Sequence, residues 1–227
     1  INYAFEKERE FSSNASHELM TPISILQSKI ENLVEDENLT VEQYKKLEAT
    51  MHIIRRLKKI VNALLLISRV DNNQFADKDI LTVSEIVEQV VEELQHRIEQ
   101  KEIILDIQLA PISVKNINRD LLFQLFYNII NNAIKFNKPG GGIQITDQQL
   151  SHKSYTVFIE DSGIGIDEQQ LGEIFYRFKK GTARVEGYGL GLAIVDSIAR
   201  HEGIVLNVES QKGKGTRFGI TFGETHL

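Results

Sequence analysis

On either side of the stretch Glu35-Asp36-Glu37-Asn38-Leu39-Thr40, apolar side chains recur in steps of three and four. They are Phe11, Ala15, Leu19, Ile23, Leu26, Ile30 and Leu33 before it, and Tyr44, Leu47, Met51, Ile54, Leu57, Val61, Leu64 and Leu65 after it. That spacing puts each set on one face of a helix. A connection this short leaves room only for an antiparallel helical hairpin. Thr40 and Gln43 are spaced as a capping box for the second helix, which the pattern extends from about Val41 to Val70. Two helices cannot enclose two long apolar stripes by themselves, so the pattern predicts a homodimer in which paired hairpins form a four-helix bundle, the alternative being a hairpin that packs on the rest of its own chain.

The first helix contains Asn14-Ala15-Ser16-His17-Glu18-Leu19-Met20-Thr21-Pro22. Pro22 has no N–H for the Glu18 carbonyl and its ring crowds that oxygen, which costs roughly 3 kcal/mol inside a helix. A bend after His17 is therefore expected. At 100° per residue His17 falls opposite the centre of the apolar stripe, and Thr21, one turn on, shares its outer face. Alone, His17 reads as an ordinary solvated histidine.

After the polar stretch "DNNQFADKD", at 71–79, the period changes. A short strand is predicted at 80–83 and a helix at about 84–100, with Thr82 and Glu85 spaced as a second capping box. "EIILDIQL" alternates as a strand, "ISVK" more weakly, and Arg119–Phe136 has helical period. Strands "GGIQITDQQ" and "SYTVFIED", a short helix near 167–175, a helix from about Gly189 to Glu202, and strands "VLNVES" and "TRFGITF" follow. The class is α+β: a helical hairpin at 1–70, a linker at 71–79, and at 80–227 a sheet with helices on one face.

Composition removes several functions. The net charge of −6, without a Lys/Arg stripe, argues against a nucleic-acid partner. The absence of cysteine excludes disulfides and thiolate metal sites, and the six histidines form no ligand-like pair. No run of about 18 apolar residues occurs and no signal peptide opens the chain, which starts within helical sequence and reads as a piece of something longer.

Three segments of the second part carry chemistry. In "NIINNAIKF", Asn128, Asn132 and Lys135 lie within two turns on one side of a helix; carboxamide oxygens can ligate a hard cation and a lysine can meet a phosphate, although a solvated face would look the same. In "EDSGIGI", Asp161 at a strand end can accept from an exocyclic amine, and Gly163 and Gly165 allow a flat ligand to approach the backbone; a plain turn also fits. In "GYGLGLAIV", glycines 187, 189 and 191 lead into a helix whose free N–H groups suit phosphate oxygens. The P-loop lysine and Ser/Thr are missing, and no strand precedes it as a dinucleotide fingerprint requires. "FYRF" and the basic stretch "KKGTARVE" between the last two segments read as a lid.

Taken in order, "SHELMTP", "NIINNAIKF", "EDSGIGI", "FYRF" and "GYGLGLAIV" resemble the H, N, G1, F and G2 boxes of the sensor histidine kinases of two-component systems, over essentially the whole chain. The resemblance implies a dimerisation and phosphotransfer hairpin followed by an α/β-sandwich ATPase domain of the gyrase and histidine-kinase type. It implies that His17 is the phosphoacceptor, that Glu18 orients its ring or accepts its N–H proton, and that Thr21 serves dephosphorylation of a response regulator. Asn132 resembles the Mg²⁺ ligand, supported by Asn128. Lys135 matches a phosphate contact, Phe136 the aromatic against the nucleotide, and Asp161 the reader of the adenine amino group. Gly163 and Gly165 match the glycines of that pocket, Arg177 the F-box residue that reaches the γ-phosphate, and Gly187, Gly189 and Gly191 the lid hinge and phosphate loop. Met20 stands where many members carry Arg or Lys, and Tyr188 where a small residue is usual. ATP and Mg²⁺ are the implied cofactors, a second copy and a receiver domain the implied partners. The implied setting is the cytoplasmic portion of a membrane-anchored bacterial sensor.

Overall fold

The computed structural model describes residues 2–35, 39–151, 153–179 and 189–227, with side chains from Glu18 onward except those of Leu150 and Ser151. The chain divides into two units, Ile1–Gln74 and Phe75–Leu227.

The first unit is a pair of helices, α1 (Asn2–Val34) and α2 (Val41–Asp71). α1 runs uninterrupted through Pro22. α2 starts on the expected box: the Thr40 hydroxyl accepts from the Gln43 amide at 3.3 Å, and the Gln43 side chain accepts from the Thr40 amide at 2.9 Å. Ile23, Met51, Ile54, Ile67 and Val70 are the buried apolar residues of this unit among those described. Leu19, Leu26, Leu33, Tyr44 and Leu57, expected in the buried register, are instead 46–52% exposed in the single chain. The two stripes are wider than the helices can cover between them.

The second unit comprises β1 (Asp79–Thr82), α3 (Val83–Gln100), β2 (Ile104–Gln108), β3 (Ser113–Ile117), α4 (Arg119–Lys135), β4 (Gly142–Ser151), β5 (Ser154–Asp161), α5 (Glu168–Leu171), α6 (Gly191–Glu202), β6 (Val205–Gln211) and β7 (Gly215–Phe222). A 3-10 turn at Glu224–His226 closes it. Five strands form a sheet in the order β2-β4-β5-β7-β6, with β2 and β4 parallel and the other neighbours antiparallel; β1 and β3 pair separately. α4 lies against β5 with α3 and α6 beside it. Its residues Leu121, Leu122, Leu125, Phe126, Ile129 and Ile130 are completely buried, the broad stripe expected of a central helix. Asn118 starts it by accepting from the Leu121 amide at 3.1 Å.

Three local expectations are corrected. The Thr82–Glu85 capping box does not form: Thr82, the residue before α3, makes no side-chain cap and is held instead as the last residue of β1, paired with Ser113 of β3. The short helix near 167–175 is only the four residues of α5, started by Asp167, whose carboxylate accepts from the Gln169 amide at 3.2 Å. The helix expected from Gly189 begins at Gly191, because Gly189 has φ +65°, outside the helical region.

Candidate nucleotide site

The second unit brings together the three segments that carry chemistry. α4 presents Asn128 and Asn132 toward the N-terminus of α6. A Cβ placed on Gly191, the first residue of α6, would lie 3.1 Å from Asn128 Oδ1 and 3.8 Å from Asn132 Nδ2. The Asn128 side-chain Nδ2 donates to the Gln124 carbonyl at 2.7 Å, and its Oδ1 is the atom nearest that corner. Leu190, the residue before α6, makes no side-chain cap, so the N-cap takes up none of the first amides of the helix. At the end of α4, Lys135 Nζ sits 4.6 Å from the centre of the Phe136 ring.

The strand-end segment closes on the same helix terminus. The Ile164 amide donates to the Phe136 carbonyl at 3.1 Å. A Cβ on Gly163 would stand 2.5 Å from that carbonyl and 2.7 Å from Asp161 Oδ1, so the loop passes α4 at a distance only glycine permits. Gly165 has φ +62°, and a Cβ there would run into the Gln211 carbonyl at the start of the β6–β7 hairpin. Asp161 is buried, 8% exposed, and accepts from the Gly163 amide at 2.8 Å. Burial pushes its carboxyl up to about 6, against the opposing pull of the Gly163 and Thr216 amides. A carboxylate that accepts from two amides has further lone pairs to offer, and with Gly163 beside it Asp161 is suited to an amine donor.

Arg177 is exposed. The Phe178 amide donates to the Gly189 carbonyl at 2.9 Å and so joins the two ends of the stretch between them. Gly187, with the rest of 180–188, lies outside the described residues, as does the side chain of His17. In the first unit His17 belongs to α1, and Glu18 and Thr21 are exposed on it.

Several contributors carry no motif. Ser210 Oγ accepts from the Ile166 amide at 2.8 Å, donates to the Gly215 carbonyl at 2.8 Å, and is 2.9 Å from Thr216 Oγ1. It thereby ties the glycine loop to the strand whose Thr216 amide reaches Asp161. The glycines of "KGKGT" were a signal for a tight hairpin only.

The donor set fits a nucleotide with its cation. Carboxamides face an uncapped helix N-terminus, a lysine lies one turn along, and a carboxylate and glycines form a separate corner for a base. Among the described residues no cluster of three or more His, Asp or Glu could hold a metal ion by itself, so a cation here would take most of its ligands from phosphate and water.

Two family profiles match. Residues 7–73 match the family described as "His Kinase A (phospho-acceptor) domain". Residues 117–226 match "Histidine kinase-, DNA gyrase B-, and HSP90-like ATPase". The heme sensor protein HssS of Staphylococcus saprophyticus is 32% identical over 98% of this chain and 50% of its own. Drug sensory protein A of Synechocystis is 35% identical over 94% of this chain and 34% of its own. The chain thus spans half or less of the length of these relatives. Among solved structures, Acinetobacter baumannii histidine kinase AdeS superposes with a TM-score of 0.65 at 26% identity, over 92% of this chain and 98% of that one. Full-length ShkA in complex with AMPPNP superposes at 0.77 and 24% identity, over 96% of this chain and 46% of that one, a likeness of fold.

Proposed function

The chain belongs to the sensor histidine kinases of two-component systems, and on that premise we propose that it is an ATP-dependent autokinase that phosphorylates His17 and passes the phosphoryl group to an aspartate of a response regulator. The observation that carries this reading is the convergence, in one unit, of Asn128 and Asn132, the open start of α6, and the buried Asp161 beside Gly163. Asp161 takes the adenine amino group, Phe136 the base or ribose side, and Lys135 a phosphate. The first amides of α6 take further phosphate oxygens, with Gly163 and Gly165 admitting the base and Gly187, Gly189 and Gly191 shaping the loop. Asn132, with Asn128, would hold a Mg²⁺ ion that neutralises phosphate oxygens. Arg177 reaches the γ-phosphate.

His17 supplies the nucleophile. A ring nitrogen forms the P–N bond as the bond from γ-phosphorus to the bridging oxygen breaks and ADP leaves, while Glu18 orients the ring or takes the proton from its other nitrogen. Because acceptor and nucleotide belong to different units, a movement of the linker at 71–79 must deliver one to the other. The half-exposed Leu19, Leu26, Leu33 and Leu57 support a second copy as the partner of the hairpin, completing a four-helix bundle. A response-regulator receiver domain is the partner for His17 and Thr21. Among the described residues no helix is long and apolar enough to cross a membrane.

The test is incubation with γ-labelled ATP and Mg²⁺, followed by acid and base treatment of the labelled protein. Acid-labile, base-stable label that disappears in His17→Gln, with nucleotide affinity retained, is the expected result. No label on the wild type favours a nucleotide-binding scaffold, and label persisting in His17→Gln moves the acceptor elsewhere.

A further inference from the structure

We propose that Lys101, with Arg97 one turn before it, is a positioning residue for the nucleotide site that fixes the last turn of α4 from behind. The inference rests on the reading of Lys135 as a phosphate contact.

The last four carbonyls of a helix have no partner within it, and they form the negative end of its dipole. In α4 that end carries Lys135 and runs into Phe136, so its geometry decides where two nucleotide-facing side chains point. Lys101, at the end of α3, donates through Nζ to the Ile134 carbonyl at 2.9 Å and to the Lys135 carbonyl at 2.6 Å. The next carbonyl, that of Phe136, accepts from the Ile164 amide of the glycine loop at 3.1 Å. Successive carbonyls of one helix end are thus held by two separate partners, the ammonium and the loop that carries Asp161. The Lys101 backbone adds to this, its carbonyl accepting from the Gly140 amide at 3.1 Å just beyond α4.

Arg97 extends the grip by one turn. Its Nη1 donates to Asn131 Oδ1 at 2.6 Å, in the middle of "NIINN". Arg97 and Lys101 are four apart on α3, and Asn131 and Lys135 four apart on α4, so two cations of one helix meet two successive turns of the other. Cations at a helix C-terminus are on the favourable side of its dipole. Lys101 has part of its hydration removed, which holds its pKa below the ordinary lysine value. Among the described residues its two acceptors are both backbone carbonyls of the segment it positions.

The experiment uses the whole chain and displacement of trinitrophenyl-ATP by ATP in Mg²⁺. Lys101→Met keeps the length of the stem and removes the donors. It is expected to weaken ATP binding about tenfold, the scale of a well-placed helix-end charge, and Lys101→Arg to stay within about threefold of wild type. Lys135→Ala weakens binding directly. If Lys101 acts through Lys135, adding Lys101→Met to Lys135→Ala costs less than about twofold more, whereas an unrelated structural loss multiplies the two effects. Thermal melts accompany each variant, and Arg97→Met, expected to lose about threefold, supplies the answer should Lys101→Met fail to fold. Lys101→Met binding ATP as wild type does, or multiplying fully with Lys135→Ala, overturns the positioning role while leaving the nucleotide site in place. Lys135→Ala without effect overturns the phosphate role of Lys135 first, and the positioning role falls with it.

Discussion

The protonation of Asp161 offers the most direct control on the nucleotide site. Its carboxyl is 8% exposed and held at about 6, against an ordinary value near 3.8, chiefly by desolvation. An adenine amino group donates more strongly to a carboxylate than to a neutral carboxyl, so binding draws on the ionised fraction. With the group at about 6, roughly nine-tenths is ionised at pH 7 and roughly one-tenth at pH 5. ATP affinity is therefore expected to fall about tenfold between pH 7 and pH 5. Asp161→Asn binds more weakly at pH 7 and keeps only the pH dependence that belongs to the nucleotide's own phosphates. Calorimetric titration of both proteins at several pH values gives the ratio of affinities, from which the phosphate contribution cancels. The sign for stability is opposite. The folded value lies above the unfolded one, so this group opposes folding fully above about pH 6, and the opposition vanishes as pH falls below about 4. The gap corresponds to about 3 kcal/mol. Asp161→Asn is thus expected to be more stable than wild type at pH 7.5, by up to about 3 kcal/mol, and equal near pH 4. A ratio of affinities that stays flat from pH 7 to pH 5 refutes the reasoning.

Other outcomes follow from named contacts. Glu202, with its side chain 1% exposed, holds Lys78 at 2.5 Å and accepts from the Asn118 amide at 3.4 Å. Because Lys78 keeps a third of its exposure, Glu202→Ala should cost about 2–3 kcal/mol, below the range for a fully buried pair, and a loss under 0.5 kcal/mol in denaturant melts contradicts this. Gly165→Ala puts a Cβ into the Gln211 carbonyl at φ +62° and is expected to weaken ATP binding more than tenfold by displacing the glycine loop; wild-type affinity would sink the idea. Thr21→Ala should keep autophosphorylation and forward transfer within severalfold of wild type and lose most phosphatase activity toward a phosphorylated receiver domain. A time course of phospho-regulator decay with ADP checks it, and undiminished decay means that Thr21 has no such role.

Elements whose causes lie within one or two turns were legible without coordinates. The two helices of the hairpin, the Thr40–Gln43 box and the buried face of α4 follow from side-chain period and capping chemistry and appear where the residues place them, whereas much of the hairpin's apolar stripe stays half-exposed in the single chain. The Thr82–Glu85 pattern has the same local form and fails where Thr82 is taken into β1 and paired with Ser113 from another part of the chain. The residues Asn128, Asn132, Asp161 and Gly191 could be singled out by type and order, but nothing in their spacing brings Asn128 Oδ1 to the start of α6.

What sequence by itself determined here is the set of amphipathic faces, turns and caps, since period, φ preference and a cap need only near neighbours. Tertiary structure alone decided the rest. Arg97 and Lys101 stand in no motif, and only the packing of α3 on α4 gives them acceptors 34 residues away. Asp161 reads as an ordinary turn acid until the sheet and the β6–β7 hairpin bury it and raise its carboxyl to about 6. Desolvation and the pairing of helix-end carbonyls are properties of what lies across the fold, and a linear spacing does not encode what lies across.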